Sequence, residues 1–377
     1  MYATKPLSLF KSHPEAASRP PPEGRNSGYL VVKDATDDDD GDTCCWGTCG
    51  GTRVRDLPFP QNRVLTVRYT EHHGESSSTY ADAVVFVPVP DLPLASNRYY
   101  PVIAMGRHKG LVRACSREED MVPCCFFTKC INDADPRPFD PADIYQQIEV
   151  VHLRRGRFTA RSVAPDGFPY FLYRKKSWRA YASRPKDFVD LGEARGLDAA
   201  LRSRQLSDAA GVLDAFPAAA TTEKAAVVGK WYSPFFHVIE GGVTLREQME
   251  RGAFYEVTLE QRWAPVDGVS TKLASSRVLI SGSVEAKQEV GNTGHGDSYV
   301  WFRAAATGQR FGVCTSVWER MRWEEYRGGW VDDEEEDAGK VAGGSVLVER
   351  FVVKRLDGSV VVAFDFVHLN KIRGKQL

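Results

Sequence analysis

The chain is 377 residues long, about two and a half times a common single-domain length, so two domains are the first expectation. Its 49 Lys and Arg nearly balance 50 Asp and Glu, and a formal charge of −1 excludes a generally basic nucleic-acid coat or an acidic tail protein. With 42% hydrophobic and 26% charged residues the chain can bury a sizeable core, which excludes mucin-like, collagen-like and globally disordered classes.

No run of about eighteen apolar residues occurs, so no membrane-spanning helix is expected. The start, Met1-Tyr2-Ala3-Thr4-Lys5-Pro6, lacks the basic end and apolar stretch of a secretory signal. Eight cysteines are too few for a disulfide-dense scaffold. Reduced thiols in a soluble cytoplasmic or nuclear protein are therefore expected.

Composition shifts near the middle. Eighteen of the 21 prolines and seven of the eight cysteines precede residue 190, whereas six of the eight tryptophans follow residue 230. This divides the chain into a Pro/Cys-rich β-rich domain (1–190), an Ala-rich linker with one helix (191–226) and a Trp-rich α+β domain (227–377). In the first part Tyr29–Lys33, Val64–Tyr69, Ala83–Val89 and Tyr99–Ala104 read as strands, being β-branched or aromatic runs between turn formers. Asp140-Pro141 offers an N-cap and an N1 proline for a helix through Gln147, after which Ile148–Leu153 returns to strand. In the linker, Leu197, Leu201 and Leu206 fall near helical spacing until Pro217.

The second part has sharper signals. Thr244-Leu245-Arg246-Glu247 is a capping box, and Gly252 closes the helix it opens. Tyr255, Val257, Leu259 and Trp263 alternate with Glu256, Thr258, Glu260 and Arg262, the pattern of a strand with one wet side. Val348–Arg355 and Val360–His368 flank Asp357-Gly358, which suits a type I′ hairpin. Cys314–Tyr326 reads as strand or helix, with Ser316 and Glu319 favouring helix. The fold class that follows is α+β, mainly antiparallel β, in two β-rich domains with a few short helices.

Two groups of residues carry candidate chemistry. Cys44-Cys45-x-x-x-Cys49 and Cys124-Cys125-x-x-x-x-Cys130 each place thiols within reach of a single ion, so Cys45, Cys49, Cys125 and Cys130 are candidate ligands of a structural zinc. Buried, oxidised or acylated thiols satisfy the same spacing. From Arg154 to Lys186, ten basic residues and one acid, Asp166, are threaded with aromatic rings. Cations beside planar rings suit an anionic or phosphate-bearing ligand, with Arg154, Arg155, Arg174, Lys175, Lys176, Trp178 and Arg179 as the binding residues. The same alternation is also that of a half-buried strand whose Arg stems cover its outer face.

No catalytic residues are assigned. Gly47-Thr48-Cys49-Gly50-Gly51 has the letters of a nucleophile elbow without its strand and helix context. His237 lies among apolar residues as a core histidine would, and His295 beside Asp297 occupies a Gly-rich loop. The acidic runs Asp37–Asp40 and Asp332–Asp337 lack the alternating ligands of a calcium loop and read as solvated connections.

Several strings resemble a plant family catalogued as domain of unknown function 1262, some members of which carry an insecticidal-crystal-toxin name. They are Pro20 to Tyr29, Leu57 to Asn62, Ser96 to Tyr100 and Arg137 to Pro141, then Gln248-Met249, Phe254 to Trp263 and Phe351 to Ser359. The resemblance implies a plant source and a soluble intracellular protein, and brings no activity or catalytic residue with it. The function expected is that of a non-enzymatic binding or interaction protein for an anionic ligand. The competing expectation is an enzyme acting on a small plant metabolite in an interdomain pocket.

Overall fold

Period-two alternation shapes most of the computed structural model, which describes residues 1–21, 23–33, 52–125, 128–183, 190–207, 225–266, 276–289, 298–327 and 344–374. The first strands are β1 (Tyr2–Pro6), β2 (Gly28–Val32), β3 (Arg53–Val54), β4 (Leu65–His73), β5 (Ser76–Pro88) and β6 (Arg98–Ile103). Then come β7 (Ser116–Arg117), β8 (Val122–Cys125), β9 (Thr128–Cys130), β10 (Ile148–Leu153), β11 (Arg157–Ser162), β12 (Gly167–Phe168) and β13 (Arg179–Ala182). β14 (Gly196–Leu197), β15 (Ala226–Pro234), β16 (Val238–Glu240), β17 (Phe254–Val266) and β18 (Ser276–Ile280) follow. β19 (Val284–Gln288), β20 (Tyr299–Ala304), β21 (Arg310–Cys314), β22 (Gly344–Lys354) and β23 (Val360–Gly374) end the series. Helices are short: α1 (Leu7–Ser12), α2 (Phe171–Arg174), α3 (Ala199–Ser207), α4 (Leu245–Arg251) and α5 (Thr315–Arg327). The fold is α+β and mainly antiparallel.

One sheet runs β11-β10-β6-β5-β4-β13-β3. Phe158 of β11 also bridges Trp178, one residue ahead of β13, with backbone N–H···O bonds of 2.9 and 3.1 Å in the two directions. Strands β11 to β13 therefore close on themselves as a small barrel, which removes their free edges. Leu65, Val67, Phe86, Ile148, Phe158 and Trp178 point inward and belong to one buried cluster.

The second sheet runs β16-β21-β20-β19-β18-β23-β22-β17-β15-β1-β2, with β14 added to β15. Residues 2–32 thus contribute β1 and β2 to the sheet built mostly from residues 226–374; Tyr2 pairs with Tyr232, and β1 runs parallel to β2. Strand β5 explains how barrel and sheet join. Its Val84 and Phe86 face the barrel interior, whereas Val85 and Val87 share a core with Tyr2, Trp231 and Phe236. Burial on both faces is why this strand reads as an unbroken apolar run.

Local signals mostly became the structures they encode. Thr244 Oγ1 accepts from Glu247 N at 3.2 Å and Glu247 Oε2 accepts from Thr244 N at 2.8 Å, the reciprocal capping box of α4. Cys314–Tyr326 resolves into the end of β21 followed by α5. Two turns differ from expectation. Asp140 caps no helix: its carboxylate accepts from Ala142 N, and Asp143 starts a single 3₁₀ turn at Ile144–Gln146 by accepting from Tyr145 N. At Asp357-Gly358 only Gly358 has positive φ, at 85°, so the turn is not type I′. The wider loop closes through Arg355 N to Ser359 O at 2.9 Å, with the pairing shifted between Val353 and Lys354.

Candidate functional site

Alternation decides which side chains of the basic-aromatic segment reach solvent. Phe158 and Trp178 face the barrel interior, so their neighbours along each strand face out. The antiparallel bridge between them brings Arg157 beside Arg179, and the β13–β4 register sets Arg179 opposite Arg68. Three arginines thereby stand side by side on three adjacent strands, roughly 4.8 Å apart from strand to strand. Two residues along β13, Tyr181 faces the same way, with the Arg68 guanidinium 5.2 Å from its ring centroid. Arg53 of β3 pairs opposite Tyr181.

The β10–β11 turn extends this group. Arg53 Nη2 donates to the Arg155 carbonyl at 2.6 Å and to the Gly156 carbonyl at 3.2 Å, fixing the turn that presents Arg154 and Arg155 to solvent. Gly156 has φ of 58°, and a Cβ there would come within 3.0 Å of Arg55, so this close approach requires glycine. Among the described residues, no carboxylate lies within ion-pair distance of Arg53, Arg68, Arg154, Arg155, Arg157 or Arg179. Nearby acids are engaged elsewhere: Glu149 lies 3.8 Å from Arg98, and Glu71 lies 3.5 Å from Lys175. The Nε atoms of Arg53 and Arg179 are shut off from solvent and have no hydrogen-bond partner among the described residues.

The predicted binding residues divide. Arg154, Arg155 and Arg179 belong to this island. Arg174 instead pairs with Asp133 at 2.5 Å and donates to the Pro169 carbonyl, while Lys175 lies over Tyr69 beside Glu71. Lys176 is exposed in the turn after α2. Trp178 is a correction: it is wholly buried, donates through Nε1 to the Tyr173 carbonyl at 2.9 Å, and packs on Phe158 and Tyr173. A ring closing a barrel core offers no face to a ligand. Arg53 and Arg68 were not singled out from sequence, since nothing local shows that their strands flank β13.

The cysteine expectation is also corrected. Cys130 forms a disulfide with Cys124 across the β8–β9 hairpin, and an oxidised sulfur is not a thiolate ligand. Cys45 and Cys49 lie outside the described residues, as does the side chain of Cys125. Also outside them are Gly47–Gly51, His295, Asp37–Asp40 and Asp332–Asp337. The described residues hold no group of three metal-ligating side chains.

A second dense set of charges is sealed from solvent. Arg202 of α3 donates to Glu349 through Nε at 2.8 Å and Nη2 at 2.6 Å, and to Glu324 through Nη1 at 3.2 Å. Glu349 also accepts from Gln261 at 2.7 Å and contacts His368 Nε2 at 3.2 Å; Glu324 accepts from Arg320 at 2.8 Å. Burial pushes the Glu349 carboxyl up, but the bonds from His368 and Arg202 outweigh it and bring it down from 4.5 to about 2. This network fastens α3 to the sheet and to α5. His237 is a core histidine, 3% exposed, driven down to about 3 chiefly by burial.

Residues 23–126 match the family model for a protein of unknown function, DUF1262. The matched segment carries Arg53 and Arg68. No curated protein matches the chain. Among solved structures it is similar to Cry35Ab1 at 9% identity and a TM-score of 0.41, over 83% of this chain and 89% of that one. No helix among the described residues is long and apolar enough to cross a membrane.

Proposed function

We propose that the protein binds an anionic ligand on the barrel wall, through Arg68, Arg157 and Arg179 with Arg53, Arg154 and Arg155 at their border. One observation carries this reading. Arg179 and Arg68 are direct cross-strand neighbours, Arg157 adjoins Arg179 beside the Phe158–Trp178 bridge, and no acid lies within ion-pair distance of the three among the described residues. Like charges placed opposite one another in a sheet destabilise it, and a bound anion would reverse that cost. Guanidinium groups suit the task, since their planar fork matches the oxygens of a phosphate, sulfate or carboxylate.

Retention on phosphocellulose tests the reading. The triple variant Arg68→Gln, Arg157→Gln, Arg179→Gln should elute at markedly lower salt than the parent. A charge-matched control, Arg246→Gln, Arg303→Gln, Arg327→Gln, should elute close to the parent. Equal shifts for both variants would mean that only net charge matters, and the reading would fail.

A further inference from the structure

We infer that the ligand is a compact molecule bearing several phosphate groups, either free or as the headgroup of a lipid; this rests on the reading of the arginine island as an anion site. The first argument is charge. Six arginines, Arg53, Arg68, Arg154, Arg155, Arg157 and Arg179, gather without a carboxylate partner among the described residues, and a singly charged anion would leave most of that charge standing. A ligand with several negative groups is the complement.

The second argument is shape. The outward positions next to the row are Thr66 and Thr70 on β4 and Thr159 on β11, which carry no charge, and beyond them Glu149 stands opposite Arg161. The cations form an island about two strand spacings wide, on the order of 10 Å, rather than a track along the molecule. That extent suits phosphates arranged around one small ring.

The third argument is the shortage of ring platforms. Single-stranded nucleic acid is held by aromatic faces as well as charge. Here Phe158, Tyr173 and Trp178 are sealed in the barrel, and Tyr181 has the Arg68 guanidinium against its ring. Half-buried Tyr181, already carrying a guanidinium, is a single ring beside a row of cations, so charge outweighs stacking surface on this face.

Calorimetric titration of the full chain with inositol hexakisphosphate tests the inference, alongside short and long oligothymidylate and phosphatidylcholine vesicles containing phosphatidylinositol bisphosphate. Expected is one-to-one binding of inositol hexakisphosphate, weakened about tenfold or more, or some 1.4 kcal/mol, by Arg68→Gln, Arg157→Gln, Arg179→Gln. If that variant loses its cooperative unfolding transition, Arg154→Gln, Arg155→Gln replaces it, because both side chains lie on an exposed turn. Vesicle binding displaced by inositol hexakisphosphate assigns the headgroup as the source; binding of the soluble compound without vesicle binding assigns a free ligand. Affinity rising with oligothymidylate length, with no response to inositol hexakisphosphate, overturns the compact-ligand inference and leaves the anion site standing. No binding of any probe, or equal binding by every variant, overturns both.

Discussion

Replacing Arg202 by Met keeps a long side chain in α3 but leaves Glu349 and Glu324 as buried acids short of a cation. Both are fully buried, and Arg202 supplies two of the hydrogen bonds on Glu349. Breaking a buried pair from one side costs about 3–5 kcal/mol. The acid limb gives a second figure. Glu349 stands at about 2 in the fold against 4.5 for the free group, and at about 1.4 kcal/mol per tenfold change in proton affinity this is about 3 kcal/mol. Its folded value is the lower one, so this contribution is complete above about 4.5 and is lost as pH falls towards about 2. Urea unfolding followed by tryptophan fluorescence, at neutral pH and at steps down through that window, measures both effects. Arg202→Met should lose several kcal/mol at neutral pH and show a flatter acid limb than the parent. A variant as stable as the parent, with the same acid limb, would refute the claim that this ion network fastens α3.

Trp178→Ala should destabilise the barrel by about 3–5 kcal/mol and abolish its tight aromatic near-UV signal, because the indole fills the core beside Phe158; an unaltered melting curve would contradict its burial. Tryptic cleavage after Lys129 should leave the Cys124 and Cys130 peptides joined until reductant is added; alkylation of both cysteines without reduction would exclude the disulfide. The Cys115 thiol, pushed up to about 11 chiefly by burial, should resist alkylation at pH 8 in the folded protein and react on unfolding. Fast labelling in the native state would contradict that placement.

Much of the fold was legible because its signals are local. The capping box at Thr244, the alternation of Tyr255–Trp263 and the strand at Ile148–Leu153 each depend on residues within a few positions of one another. Barrel closure depends instead on Phe158 meeting Trp178, and the placing of β3 on Val54 meeting Ala180, contacts between distant segments that no local pattern encodes. The basic-aromatic segment supported two readings, a stacking platform or a half-buried strand, and its side chains follow the second, with rings sealed inside and Arg stems on the outer face. Phe158, Tyr173 and Trp178 turned inward, while Arg154, Arg155, Arg157 and Arg179 stayed outside. Arg53 and Arg68 became part of the island only through pairing. Cysteine spacing was equally permissive, since Cys124 and Cys130 face each other across a hairpin as readily as they could face a metal.

Everything proposed for function depends on repulsion across the row Arg157, Arg179, Arg68 that an outside anion relieves. The thermal midpoint of the parent and of Arg179→Gln, measured at low ionic strength with and without added sulfate, tests this directly. Relief of like-charge pairing predicts that Arg179→Gln melts higher than the parent in low salt and gains less from sulfate. A lower midpoint for Arg179→Gln, with an undiminished gain from sulfate, would contradict it.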